Sequence, residues 1–291
     1  MKKWFLLISI AFGVCPAEAQ FSFDSAILIQ DIKILSSDVM EGRKTGTEGS
    51  KKARAFIIDQ LKKIGVAPLV PDYVQSFTVR PATVTGTNIL AVIPGKQTET
   101  IVISAHYDHL GIRNNIIFNG ADDNASGVAA LLSMARYFTK HPPQHRLIFA
   151  FFDAEEMGLQ GSSYFTNTVN LQDEKIILNI NLDMVSRSDK NELYACGGYH
   201  SPDLKKRLEQ VNPPDGFVLR FGHDNPALGH NDWTNQSDHF SFHQKKIPFV
   251  YFGVEDHPDY HRATDDFGKI NRVMFSKSTE TILSCVKMLD Q

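Results

Sequence analysis

The sequence predicts an α/β fold, a mostly parallel mixed sheet sandwiched by helices. Two observations carry that expectation. Four short runs, at residues 101–105, 147–152, 176–182 and 249–254, are almost continuously apolar. Runs without polar alternation are the mark of strands buried on both faces. Helical patterns lie between or after them, over 125–138, 201–211 and 270–289. Strands alternating with helices in this way build a parallel sheet with helices on its faces.

The elements follow in chain order. Lys2 and Lys3, an apolar stretch over 4–15 and Ala17-Glu18-Ala19 have the three parts of an export signal with an A-x-A cleavage site. The stretch is shorter than the ~20 apolar residues a membrane span needs. The expectation is therefore a signal over 1–19, then one domain over 20–291, exported and with no stable membrane insertion after cleavage. Residues 26–35 carry Leu28, Ile32 and Leu35 at helical spacing. Residues 47–64 give a cleaner helix through Ala53, Phe56, Ile57, Leu61 and Ile64, stopped by Gly65. The polar, glycine-punctuated stretch 41–48 between them reads as a loop. Residues 74–80 and 88–93 read as strands separated by Pro81 and Gly86.

Composition excludes several classes of function. Of 291 residues 42% are hydrophobic and 22% charged, which rules out a disordered, collagen-like or coiled-coil chain. Lys plus Arg number 30 and Asp plus Glu 33, so no basic excess invites nucleic acid or an anionic membrane. After cleavage only Cys196 and Cys285 remain, with no CxxC zinc motif. Two buried free thiols are expected rather than a bridge, since a domain of this size has core enough without one.

The ends of the four apolar runs are rich in metal-type ligands. His106-Tyr-Asp108-His109 follows the first, Asp153-Ala-Glu155-Glu156 the second and Asp183 the third. Glu255-Asp-His257-Pro-Asp-Tyr260-His261 follows the fourth. In open α/β sheets ligands collect beyond the carboxyl ends of strands. Asp122 and Asp123 precede the 125–138 helix, where a helix N-terminus favours anions. Taken singly, these two read as caps, and His106 or His261 as a satisfied histidine. Four strand ends placing carboxylates against apolar sequence need a common cation. Imidazole nitrogen with carboxylate oxygen suits Zn²⁺.

The set His106-x-Asp108, Gly-Ala-Asp122-Asp123-Asn-Ala-Ser-Gly127, Asp153-Ala-Glu-Glu-Met-Gly158, Asn181-Leu-Asp183 and Tyr260-His261 resembles the co-catalytic dizinc exopeptidases. That family includes bacterial leucyl aminopeptidases, glutamate carboxypeptidase II and, as a one-metal branch, glutaminyl cyclases. The likeness runs in order from about His106 to Asp265. It implies two Zn²⁺ per chain, with His106 and Asp183 on one, Glu156 and His261 on the other, and Asp122 bridging. It also implies that Asp108 accepts a ring N–H of His106 and fixes its tautomer. Asp123 would follow Asp122 through a cis peptide, and Glu155 would be the general base. The chemistry agrees: peptide hydrolysis needs an activated water and a carboxylate to take its proton. Tyr260 is placed to donate to the developing oxyanion.

His109, His239 and His257 match no ligand position and read as outer or rim residues. Ser237-Asp238-His239 does not give triad geometry, and no GxSxG elbow exists. The expected activity is aminopeptidase action on peptide substrates. The rivals are a glutaminyl-cyclase-type aminoacyltransferase and a non-catalytic binding module. The first is disfavoured by a donor set large enough for two metals, the second because no ligand and no base is missing. Carboxypeptidase polarity stays open, since the metal set serves both.

Overall fold

The computed structural model describes residues 22–169 and 174–291; the expected export signal lies outside the described residues. The strands are β1 (Ala67–Pro68), β2 (Val74–Val79), β3 (Val84–Ile93), β4 (Thr100–His106), β5 (Gly111–Arg113), β6 (Ile116–Phe118), β7 (Arg146–Phe152), β8 (Ile176–Leu182), β9 (Glu192–Cys196), β10 (Val218–Phe221) and β11 (Phe249–Gly253). The helices are α1 (Ser25–Leu35), α2 (Glu48–Ile64), α3 (Gly127–Lys140), α4 (Gln160–Thr168), α5 (Pro202–Leu208), α6 (His239–Gln244) and α7 (Arg272–Leu289). The main sheet runs β1-β3-β7-β4-β8-β11-β9-β10, with β2 beside β3, while β5 and β6 form a separate hairpin.

The four apolar runs become four neighbouring parallel strands, β7-β4-β8-β11, and the antiparallel pairs lie toward the edges. Each of these central strands is buried on both faces because its residues alternate between two cores. Ile101, Ile103 and Ala105 of β4, with Leu147, Phe149 and Phe151 of β7, pack under α1, α2, α3 and α7. The alternate residues Val102, Ile148, Ala150 and Phe152 face Phe165 of α4 and Phe242 of α6. Fully burying such a side chain contributes ~1.5–3 kcal/mol, so truncating Phe149 would cost the fold ~3–5 kcal/mol.

Local sequence sets the helix ends. Thr47 Oγ1 accepts from the Ser50 amide 3.4 Å away and starts α2, and Gly65, at φ 83°, closes it. Several spans differ from expectation, and two show why. β3 begins at Val84 and runs through Gly86, because a Cβ there would come within 2.4 Å of the Phe77 ring on β2. Helix α3 starts at Gly127 because residues 121–126 form an irregular turn around Asp123 and Asn124. Both described cysteines are buried and free. No helix among the described residues is long and apolar enough to cross a membrane.

Candidate metal centre

Sheet order fixes where the chemistry gathers. His106 is the last residue of β4, Asp153 follows β7 and Asp183 follows β8. Their strands are adjacent, so the three carboxyl ends lie side by side. β11 leads into the loop that carries His257, Tyr260, His261 and Asp265. The turn at 121–126 is held above the sheet by Asp265, whose carboxylate accepts the Asp122 and Asp123 amides at 3.0–3.2 Å. Asn124 ties the same turn to β8, donating to the Leu182 carbonyl at 2.9 Å.

Two donor groups result. His106 Nε2 lies 3.2 Å from Asp183 Oδ1 and 3.5 Å from Asp123 Oδ1. Donor atoms of His106, Glu155 and Asp183 all fall within 4.8 Å of one another. In the second group, His261 Nε2 lies 3.2 Å from Asp123 Oδ2 and 3.3 Å from Glu156 Oε2. His109, Asp123 and Glu156 also fall within 4.8 Å of one another. The Asp123 carboxylate thus sends one oxygen to each group.

Asp122, expected to bridge, does not reach either group. Adjacent residues in this turn point opposite ways. The Asp122 Oδ1 accepts from the Ser186 amide and hydroxyl, both at 2.7 Å, and its Oδ2 meets His257 Nε2 at 3.1 Å. The carboxylate that lies between the two donor groups is that of Asp123, and the cis peptide joins Asp123 to Asn124 rather than Asp122 to Asp123. Asp108 also differs from expectation. The His106 Nδ1 contact at hydrogen-bond distance is the Asp108 main-chain carbonyl, 3.2 Å away, while the nearest carboxylate oxygen is at 3.7 Å. The carboxylate instead accepts the Glu155 amide at 3.0 Å and the Glu156 amide at 3.3 Å, which sets both glutamates.

The electrostatics are those of a buried acidic pocket. Burial pushes Glu155 well above the usual carboxylate range, and Asp183, Asp238 and Glu156 add to it, against a pull from His106. Glu156 goes the other way: burial raises it, but the His109 and His261 imidazoles beside it outweigh burial. Asp123 and Glu156 push His261 up to about 10. Four buried atoms, His109 Nδ1 and Nε2, Asp123 Oδ2 and Glu156 Oε1, have no hydrogen-bond partner. Orphaned donors of imidazole and carboxylate type are what Zn²⁺ takes, so the donor set fits that ion.

The site opens into a pocket of about 280 Å³, whose walls include Leu159, Met184, Trp233, Tyr251 and Tyr260. Tyr260 stacks on His261, with ring centroids 4.0 Å apart. Below the site the fully buried Arg43 donates to the carbonyls of Leu35, Tyr107, Asn119 and Gly120 at 2.6–2.9 Å. Neither Arg43 nor the contact of His109 was legible as part of the site. The one available signal for His109 was its place three residues after His106.

The family model described as Peptidase family M28 matches residues 88–286, which contain every residue of both donor groups. The chain belongs to peptidase family M28. Among its relatives, a probable zinc metalloprotease of Pyrenophora teres f. teres is 31% identical over 185 residues, 58% of this chain and 37% of the relative. The chain thus spans less than half the length of that relative. Two solved structures share the fold. A zinc aminopeptidase from Bacillus subtilis has TM-score 0.71 and 19% identity, over 92% of this chain and 95% of the other. A Bacteroides thetaiotaomicron glutaminyl cyclase bound to N-acetylhistamine has TM-score 0.73 and 19% identity, over 91% and 98%. Fold likeness is equal for hydrolase and cyclase, so the choice between them rests on the site.

Proposed function

We propose that this chain is an exported zinc aminopeptidase that removes N-terminal residues from peptides. The observation that carries the reading is the Asp123 carboxylate set between two donor groups. His106, Asp183 and Asp123 would hold one ion, and Glu156, His261 and Asp123 the other. Bound there, two zinc ions would acidify a water and polarise the scissile carbonyl. Glu155 takes the proton of that water and returns it to the leaving amine; a carboxyl raised by burial is a stronger base for the task. The Tyr260 hydroxyl, at the pocket wall, donates to the developing oxyanion. The apolar side of the pocket, Leu159, Met184, Trp233 and Tyr251, suits an apolar N-terminal side chain. Residues 20–291 form the peptidase domain, and residues 1–19 are removed on export.

One panel tests this. Aminoacyl chromophores, N-blocked peptides and peptides with N-terminal glutamine are assayed with and without chelator. Chelator-sensitive release from free N-termini is expected. Cleavage of N-blocked peptides from the other end would establish carboxypeptidase polarity, and ring closure of glutamine would establish the cyclase. N-terminal sequencing of the exported protein should begin at Gln20.

A further inference from the structure

His109 has no part in the expected ligand set, yet its ring lies inside the second donor group. It is 1% exposed, and Nδ1 sits 2.7 Å from Glu156 Oε1 and 3.6 Å from Asp123 Oδ2. The geometry of that close contact gives neither Nδ1 nor Oε1 a hydrogen bond. Two buried polar atoms side by side, neither satisfied, are costly unless a cation meets both. The spacing points the same way. Zn–N and Zn–O bonds of ~2.0–2.2 Å in a tetrahedron place ligand atoms about 3.4 Å from one another. The contacts of His109 and of His261 with the Asp123 and Glu156 carboxylates run from 2.7 to 3.6 Å. The fold also makes room for this ring. Gly120 has φ +55°, and a Cβ there would lie 2.5 Å from His109 Cδ2.

We propose that His109 is a fourth protein donor, through Nδ1, to the metal position formed by Asp123, Glu156 and His261. The inference rests on the two-metal reading above and makes the two positions unequal. The second position would then have four protein donors, the number structural zinc sites use, and would hold its ion the more firmly. The position of His106, Asp183 and Asp123 has three and keeps room for water and substrate. Asp123 would be anchored at the four-donor position, and Glu155 lies beside the three-donor one.

The first test uses the intact wild-type protein with ¹⁵N-labelled histidine and ¹¹³Cd in place of zinc. Metal–nitrogen coupling is expected at three ring nitrogens: His106 Nε2, His261 Nε2 and His109 Nδ1. Coupling at only the first two, with His109 Nδ1 protonated, overturns the proposal. The second test is zinc competition against a chelator in wild type, His109→Ala and His109→Asn. The weaker-held ion of both variants should lose at least about 100-fold in affinity, the upper end of the loss from an outer contact alone. Asparagine can still donate to Glu156, so recovery to within tenfold of wild type in His109→Asn means His109 only orients that carboxylate and overturns the proposal. A wild-type chain that holds one ion overturns the two-metal reading itself. Two ions held equally by all three proteins overturn the assignment of His109 alone. Should either variant fail to fold, the coupling measurement on wild type decides.

Discussion

Asp122 Oδ2 meets His257 Nε2 at 3.1 Å, and this contact ties the turn that carries Asp123 to the loop that carries His261. The two aspartates therefore divide the labour: Asp123 faces the donor groups and Asp122 holds the frame. Ser186 completes that frame by donating both its amide and its hydroxyl to Asp122 Oδ1. The turn, the segment after β8 and the 254–265 loop are thereby pinned at one carboxylate.

The division predicts different failures for neighbouring mutations. Asp123→Ala should bring zinc below one ion per chain by elemental analysis, because both positions lose a donor. Asp122→Ala should keep clearly more zinc but lower the unfolding free energy by ~1–3 kcal/mol, the cost of buried partners left unpaired. Equal zinc loss in the two variants would refute it.

The central architecture was legible because it depends on patterns local to each strand. Four apolar runs can bury both faces only in the middle of a helix-covered sheet, and β7, β4, β8 and β11 are those strands. The choice between Asp122 and Asp123 was not legible. They are adjacent and of one type, and what turns one inward is Asp265, 142 residues from Asp123, together with Ser186 and His257. The role of Arg43 is hidden in the sequence for a similar reason. A lone arginine in a polar loop looks solvated, and only the tertiary fold brings four carbonyls to it.

Arg43 is expected to be the most destabilising single site near the centre. Burial draws its pKa down to about 10, with Asp123, Asp265, Asp108 and Glu156 pulling it back up, so the cation persists at working pH. Arg43→Met leaves the carbonyls of Leu35, Tyr107, Asn119 and Gly120 without these donors. The loss should be at least about 3 kcal/mol by chemical denaturation. A shift under about 1 kcal/mol would mean that other donors replace the guanidinium.

Cys196 and Cys285 should be inert in the native state. Burial pushes both thiols well up, and neither is exposed beyond 1%. A thiol reagent added to the protein over residues 20–291 should find no reactive group until denaturant is added, and then two. Rapid reaction before unfolding would contradict the packing.

His239 supplies a pH dependence. Its ring lies between Phe249 and Tyr251, each 4.7 Å away by centroid, and Nε2 contacts the Trp233 carbonyl at 3.0 Å. Burial takes its pKa down to about 4. An unfolded histidine takes a proton below about 6.5, and the native state refuses it until about 4. The contribution is thus complete above about pH 6.5 and is lost as pH falls toward 4, by ~3 kcal/mol over that window. His239→Phe keeps a ring between its neighbours and cannot titrate. The stability of wild type relative to this variant should fall as pH drops from 7 to 4.5; an unchanged difference would show that His239 does not titrate differently on folding.

Glu155 and Glu156 test the mechanism, because adjacent residues of one type are given different tasks. Asp108 accepts both amides, so the two backbones share one anchor while their carboxylates part. Glu156 turns toward His109 and His261, and Glu155 toward His106 and Asp183. Glu156→Gln removes a charged donor, so zinc and activity should fall together. Glu155→Gln keeps the size of the side chain but cannot accept a proton. Zinc should then stay at the wild-type level while kcat drops by ~10²–10⁴, the usual range for a general base, with KM little changed. If Glu155→Gln keeps full zinc and more than about a tenth of wild-type kcat, the proton goes elsewhere. The next group to test would be Asp238, a fully buried carboxylate whose pKa burial lifts to about 7. Loss of zinc in Glu155→Gln would instead make Glu155 a ligand beside His106 and Asp183, and the base would again have to be sought at Asp238.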